Sequence, residues 1–300
     1  MKQMKKILIT GGTGLLGNYL IASGSNYSIN AVYKGSYFIE NKVNLVYSNC
    51  DILLGNFEEL VLENFNPDVI IHTASIGNVD YCEKNPEEAR LVHISATQKM
   101  LDLAKKYKAH FIFTSSNAVY DGKNHPFSEE DPINPLSIYG KLKAEAEELI
   151  KNSNLKWTIV RPIIMYGWNI PQERANPVTW IISKLKKQEK IFLVNDVYEN
   201  PLYSGFIADI IWQIVEKEIY GVFNIAGKDS VNRYEWARVV AKVFNLDSAL
   251  ITPVTSDYFP SIIERPKNTT FNVAKMENIF NCKALGIVEG LELMKKEKYI

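Results

Sequence analysis

Residues 5–17, Lys5-Lys6-Ile7-Leu8-Ile9-Thr10-Gly11-Gly12-Thr13-Gly14-Leu15-Leu16-Gly17, decide the fold. The apolar run Ile7-Leu8-Ile9 predicts a buried strand; glycines follow at once, and Leu15-Leu16 with Tyr19-Leu20-Ile21 predicts a helix. Gly12, Gly14 and Gly17 satisfy G-x-G-x-x-G, and Gly11, Gly14 and Gly17 satisfy G-x-x-G-x-x-G. A strand, a glycine turn and a helix bring unpaired N-terminal amides and the positive end of a helix dipole to a pyrophosphate. The stretch therefore predicts a dinucleotide cradle formed by Gly11, Thr13, Gly14, Leu15, Leu16 and Gly17. A plain tight turn is the bland alternative, and the flanking strand and helix argue against it.

Beyond this stretch, strand-like runs at 29–33, 43–47, 69–72, 110–114 and 157–160 alternate with helical patterns at 56–64, 87–107 and 137–150. That rhythm predicts an α/β fold, a Rossmann-type doubly wound parallel sheet, with ligands beyond the carboxyl ends of the strands. After Pro162 the rhythm loosens. Residues 221–227 predict one strand returning to the sheet, and 234–244 and 273–280 predict helices. The expected division is a cofactor domain of 1–162 plus 201–227 and a smaller C-terminal substrate-binding lobe of 163–200 plus 228–300.

Composition narrows the function classes. With 34 basic and 34 acidic residues the formal net charge is zero, which favours neither a nucleic-acid nor an anionic-membrane partner. No apolar run reaches the length of a membrane span, and the run after the basic N-terminus is too short for a secretion signal. Cys50, Cys82 and Cys282 are few and widely spaced, which predicts a reducing cytoplasm, no disulfide framework and no metal site.

The predicted strand ends carry the candidate site. After the second strand no carboxylate appears until Glu40; Lys34 and Ser36 stand there instead and suit a 2′-phosphate, which favours NADP over NAD, unless Lys34 is only a solvated loop lysine. Asp51-Ile52 after the third strand fits an adenine contact or a helix N-cap. Thr73-Ala74-Ser75 after the fourth strand leaves room for a ligand to pass, and His72 reads as a buried strand histidine. Ser115-Ser116 follows the fifth strand. Tyr139 and Lys143, four apart on a predicted helix, share one face. A phenol with an ordinary pKa near 10 becomes a useful acid or base beside an ammonium, and a strand-end serine polarises the same carbonyl oxygen.

These residues resemble an extended short-chain dehydrogenase/reductase. The motifs 10–17, 67–75, Ser115-Ser116, Tyr139-x-x-x-Lys143, Arg161-Pro162 and Tyr166-Gly167 occur in that family's order. The stretches 81–86, 119–122, 126–131 and 265–270 are most similar to its dTDP-4-dehydrorhamnose reductase branch. The resemblance implies Tyr139 as proton donor and a cofactor contact, Lys143 as its electrostatic partner and a holder of the nicotinamide ribose, and Ser116 as the polarising hydroxyl. Ser116 stands where the branch usually has Thr. His93 stands where the family often has Asn, so a supporting water contact is in question. Asn117 replaces an acid that sugar dehydratases carry, which argues against water elimination.

The implied activity is reduction of a nucleotide-activated 4-keto-6-deoxy sugar by NADPH or NADH. A nucleotide-sugar 4-epimerase retaining NAD and a non-catalytic regulatory subunit of the methionine adenosyltransferase type are the alternatives. Arg265 is a candidate for a substrate phosphate, and Asn78, Asn117, Trp168 and Tyr203 are further substrate candidates. Helices 87–107 and 137–150 offer surfaces for a homodimer.

Overall fold

The computed structural model describes residues 4–36, 39–171, 173–260, 263 and 265–297. In chain order the first half comprises β1 (Lys6–Thr10), α1 (Leu15–Ser23), β2 (Ser28–Tyr33), β3 (Leu45–Asn49), α2 (Phe57–Leu62), β4 (Val69–His72), α3 (Val79–Lys84), α4 (Pro86–Arg90), α5 (Ala96–Tyr107), β5 (His110–Thr114), α6 (Ile138–Lys151) and β6 (Trp157–Pro162). The second half comprises β7 (Met165–Tyr166), α7 (Pro177–Lys186), β8 (Ile191–Val194), β9 (Tyr198–Glu199), β10 (Leu202–Tyr203), α8 (Ser204–Lys217), β11 (Gly221–Ile225), β12 (Val231–Asn232), α9 (Arg233–Val243), β13 (Ile251–Val254), α10 (Ala274–Phe280) and α11 (Ile287–Lys296).

Seven parallel strands form one sheet in the order β11-β6-β5-β4-β1-β2-β3. Alternation along β1 explains the two cores. Ile7 and Ile9 face one side with Leu16, Leu20, Ile207 and Ile211, while Leu8 faces the other with Ile70, Phe111, Met100 and Ala146. Helices thus cover both faces, as buried parallel strands require. The returning strand expected near 221–227 is β11, paired with β6. Three two-stranded pieces, β7 with β10, β8 with β13 and β9 with β12, lie outside the sheet.

Two expectations are corrected. The strand expected at 43–47 runs instead over Leu45–Asn49, because Val43 and Asn44 form a turn in which Asn44 takes a left-handed φ of +61°. The single helix expected over 87–107 is interrupted. A π-helical turn at Leu91–Ser95 separates α4 from α5, with the Ala96 amide donating five residues back to the Leu91 carbonyl. Such turns inside α-helices mark inserted residues and frequently sit at functional sites.

Candidate active site

The glycine loop joins β1 to α1 as expected. Gly11 has φ +72°, and a Cβ there would lie 2.9 Å from the Ala74 amide nitrogen. A Cβ on Gly17 would lie 2.2 Å from the Gly11 carbonyl oxygen, so the close approach of α1 to the loop requires glycine. Gly14 offers no side-chain cap and the first turn of α1 holds no acidic residue, which leaves its amides and dipole to an anion. The donor set and the open cradle fit a dinucleotide pyrophosphate. The Thr73 hydroxyl donates to the Thr10 carbonyl at 2.7 Å and fixes Thr73-Ala74-Ser75 beside the loop. Thr13 donates to the Glu173 carboxylate at 2.7 Å, a contact from 160 residues away that nothing in the local sequence announces.

Lys34 and Asp51, from the ends of β2 and β3, form an ion pair at 2.8 Å. Asp51 also accepts from the Leu53 amide at 2.9 Å. The Lys34 ammonium and that amide hold the Asp51 carboxyl below its ordinary range. Asp51 caps no helix: α2 begins at Phe57 with Asn56 in the capping position. Apart from that pair, the Lys34 side chain is largely exposed.

The catalytic candidates meet at the end of β5. Ser116 is buried there, with its oxygen accepting from the Ala118 amide at 3.1 Å. Ser137 caps α6 by accepting from the Gly140 amide at 3.0 Å, which sets Tyr139 in the first turn facing Ser116. Burial pushes the Tyr139 phenol above its ordinary value, and hydrogen bonds with Ser116 and Ser75 pull it back. The net direction is upward, so the phenol carries its proton at neutrality. Lys143 is 2% exposed, donates to the Thr114 carbonyl at 2.8 Å and sits 4.8 Å above the Phe113 ring. Burial lowers it to about 7.

A buried pair anchors the helix that carries both residues. Arg161 on β6 donates from Nε and an Nη to the two Glu147 oxygens of α6, at 2.8 and 2.6 Å. Ser115 donates to the same carboxylate at 2.6 Å, and Arg161 donates to the Tyr120 hydroxyl at 2.6 Å. The sequence marks Arg161 only within the Arg161-Pro162 motif and does not mark Glu147; their pairing needs the packed helix and strand. His72 is buried as expected, bonded to Thr10 and Thr97. The buried His93 ring meets Tyr139 edge-on with centroids 5.5 Å apart. Burial and the Lys143 charge lower His93 to about 3, so it stays neutral.

The substrate candidates divide. Asn117 reaches across to donate to Thr269 Oγ1 at 2.8 Å, tying the 268–271 segment to the end of β5. Arg265 donates from one Nη to both Asp80 oxygens of α3 at 2.8 Å, and Asn78 caps α3 by accepting from the Tyr81 amide at 3.1 Å. Asn117 thus lies next to Ser116, whereas Arg265 and Asn78 both meet α3. Trp168 and Tyr203 are buried in packing: the indole donates to the Met294 carbonyl at 2.7 Å, and the Tyr203 hydroxyl donates to Glu297. Among the described residues no three His, Cys, Asp or Glu side chains gather as a metal site, and no helix is long and apolar enough to cross a membrane.

The family model for the RmlD substrate binding domain matches residues 4–299. The chain belongs to that family. Among curated relatives, methionine adenosyltransferase 2 subunit beta of Bos taurus is 29% identical over 282 residues, covering 92% of this chain and 82% of the relative. The dTDP-4-dehydrorhamnose reductase of Aggregatibacter actinomycetemcomitans is 28% identical over 292 residues, covering 92% and 94%. Among solved structures, dTDP-4-dehydrorhamnose reductase of Bacillus anthracis in complex with NADP superposes with TM-score 0.85 at 24% identity, over 99% of this chain and 100% of that one. That likeness establishes for this RmlD-family chain the Rossmann-like fold the sequence predicts.

Proposed function

We propose that this chain is an NADPH-dependent reductase of a nucleotide-activated 4-keto-6-deoxy sugar. The observation that carries the reading is the convergence of Ser116, Tyr139 and Lys143 at the end of β5, two strands from the glycine cradle at the end of β1. The dinucleotide supplies a hydride to the sugar carbonyl carbon. The residues of the chain do the rest. Ser116 donates a hydrogen bond to the carbonyl oxygen, and Tyr139 transfers its proton to that oxygen as charge develops there. Lys143 in its charged form stabilises the phenolate left behind. The glycine loop with Thr13, Leu15 and Leu16 holds the pyrophosphate; Lys34 holds a 2′-phosphate; Asp51 and Ile52 meet the adenine; and Thr73-Ala74-Ser75 lines the path between. The sheet with β11 is the cofactor domain, and 163–200 plus 228–300 form the lobe for the sugar nucleotide, with Asn78, Asn117 and Arg265 at its border.

Both sets of curated relatives match at the same level of identity, so the intact acid, hydroxyl and lysine favour the reductase over a regulatory subunit. Cofactor deuterated at the transferred position separates the reductase from an epimerase. A reductase consumes NADPH and leaves one deuterium at sugar C4; an epimerase consumes none and leaves no label.

Two consequences concern the cofactor. Lys34→Ala weakens NADPH binding by about tenfold and NADH binding by much less, since the ammonium that pairs with Asp51 gains a direct role only with a 2′-phosphate. Paired titrations with the two nucleotides measure this. Lys143, lowered to about 7, is charged below pH 7 and loses its proton above. An anionic dinucleotide favours the charged form and so takes up a proton on binding. NADPH affinity therefore falls above pH 7, by up to about tenfold per pH unit, and is flat below it. Titration between pH 6 and 9 reads that slope, and Lys143→Met removes it.

A further inference from the structure

A string of hydrogen bonds crosses the buried interface of β1, β4 and α5. The Ala74 amide contacts Thr10 Oγ1 at 3.3 Å, Thr10 Oγ1 contacts His72 Nδ1 at 2.7 Å, His72 Nε2 contacts Thr97 Oγ1 at 3.2 Å, and Thr97 Oγ1 contacts the His93 carbonyl at 2.7 Å. The chemistry of the ends places every proton. A carbonyl only accepts, so the Thr97 hydroxyl donates to His93 and accepts from His72 Nε2–H. His72 Nδ1 is then bare and accepts from the Thr10 hydroxyl, which in turn accepts from the Ala74 amide. Thr10 and Thr97 are fully buried and His72 is 1% exposed, so no water substitutes for a lost link.

The string ends at the π-helical turn. A threonine hydroxyl that takes the carbonyl four residues back competes with the regular helical ladder. Here it satisfies the His93 carbonyl at the place where the turn widens. The turn lays the His93 ring edge-on against Tyr139, with ring planes at 81°, while His93 Nε2 donates to the Ile76 carbonyl at 3.3 Å. The phenol therefore rests on a ring whose position is set, through Thr97, by the strand end that precedes the glycine loop.

We propose that Thr97 is a positioning residue for the Tyr139 phenol, acting through the π-helical turn and the His93 ring. The proposal rests on the reading of Tyr139 as the proton donor. Thr97→Val keeps the shape and removes the hydroxyl; Thr97→Ser keeps the hydroxyl. The expected result is a kcat for sugar reduction lower by about tenfold in T97V, with NADPH Kd and sugar KM within about twofold of wild type, and recovery of kcat in T97S. Two spectroscopic signatures need no turnover. Imidazole nitrogen NMR shows His72 protonated on Nε2 in wild type and T97S and a changed signal in T97V. The Tyr139 ring resonances, shifted by the His93 ring, move in T97V alone. A T97V enzyme with wild-type kcat, a T97S enzyme that loses kcat as T97V does, or Tyr139 resonances unmoved by T97V each overturns the proposal. Tyr139 resonances moved by T97V, in a protein whose wild-type form reduces no sugar, would sink the reductase reading and leave the positioning intact.

Discussion

Tyr139→Phe lowers kcat for reduction of a nucleotide-linked 4-keto sugar by about 10²–10⁴-fold, the range over which a positioned general acid acts, and leaves NADPH binding within about twofold. The ring and its contacts with His93 survive the substitution; the proton and the hydrogen bonds with Ser116 and Ser75 do not. Burial already holds the phenol above its ordinary value, so the group is stocked with a proton at neutral pH. A loss confined to kcat marks an interaction made in the transition state. An equal loss in NADPH affinity would instead make the Tyr139 hydroxyl a cofactor contact rather than the proton donor.

Glu147→Ala destabilises the chain by about 3–5 kcal/mol, because it leaves a buried guanidinium without its counter-ion. Arg161 is 2% exposed and Glu147 fully buried, and the carboxylate also accepts from Ser115. For a chain of this size the shift in melting temperature is on the order of 10 °C, read by thermal unfolding of the ligand-free protein. The pair ties α6 to β6 and to the end of β5, so the surviving folded fraction also loses alignment of Tyr139 with Ser116. Replacing the pair together, Glu147→Leu with Arg161→Met, recovers much of the stability, since two apolar side chains bury no unpaired charge. A single Glu147→Ala within about 1 kcal/mol of wild type would mean the pair is solvated or replaceable, against the geometry.

The legible parts of this molecule are local. Ile7-Leu8-Ile9 followed by glycines announced β1, the cradle and α1 because strand, turn and helix N-terminus all lie within 13 residues. Tyr139 and Lys143 were legible because helical spacing alone puts them on one face. What stayed hidden depends on partners distant in sequence. Trp168 and Tyr203 are aromatic substrate candidates, yet their polar atoms meet Met294 and Glu297, 126 and 94 residues away. The Thr13–Glu173 and Asn117–Thr269 contacts join the glycine loop and the β5 end to later segments in the same way. The π-helical turn escaped because one extra residue leaves the amphipathic pattern of 87–107 nearly intact; Thr97, four residues after His93, is the sole local trace of it.

The central claim is hydride transfer to a nucleotide-linked sugar, and NADPH oxidation by the wild-type chain against a panel of nucleotide-linked 4-keto-6-deoxy sugars tests it most directly. The account predicts steady turnover with at least one of them, faster with NADPH than with NADH. Tight NADPH binding with no oxidation by any member of the panel would contradict it and transfer the weight to an epimerase or a regulatory subunit.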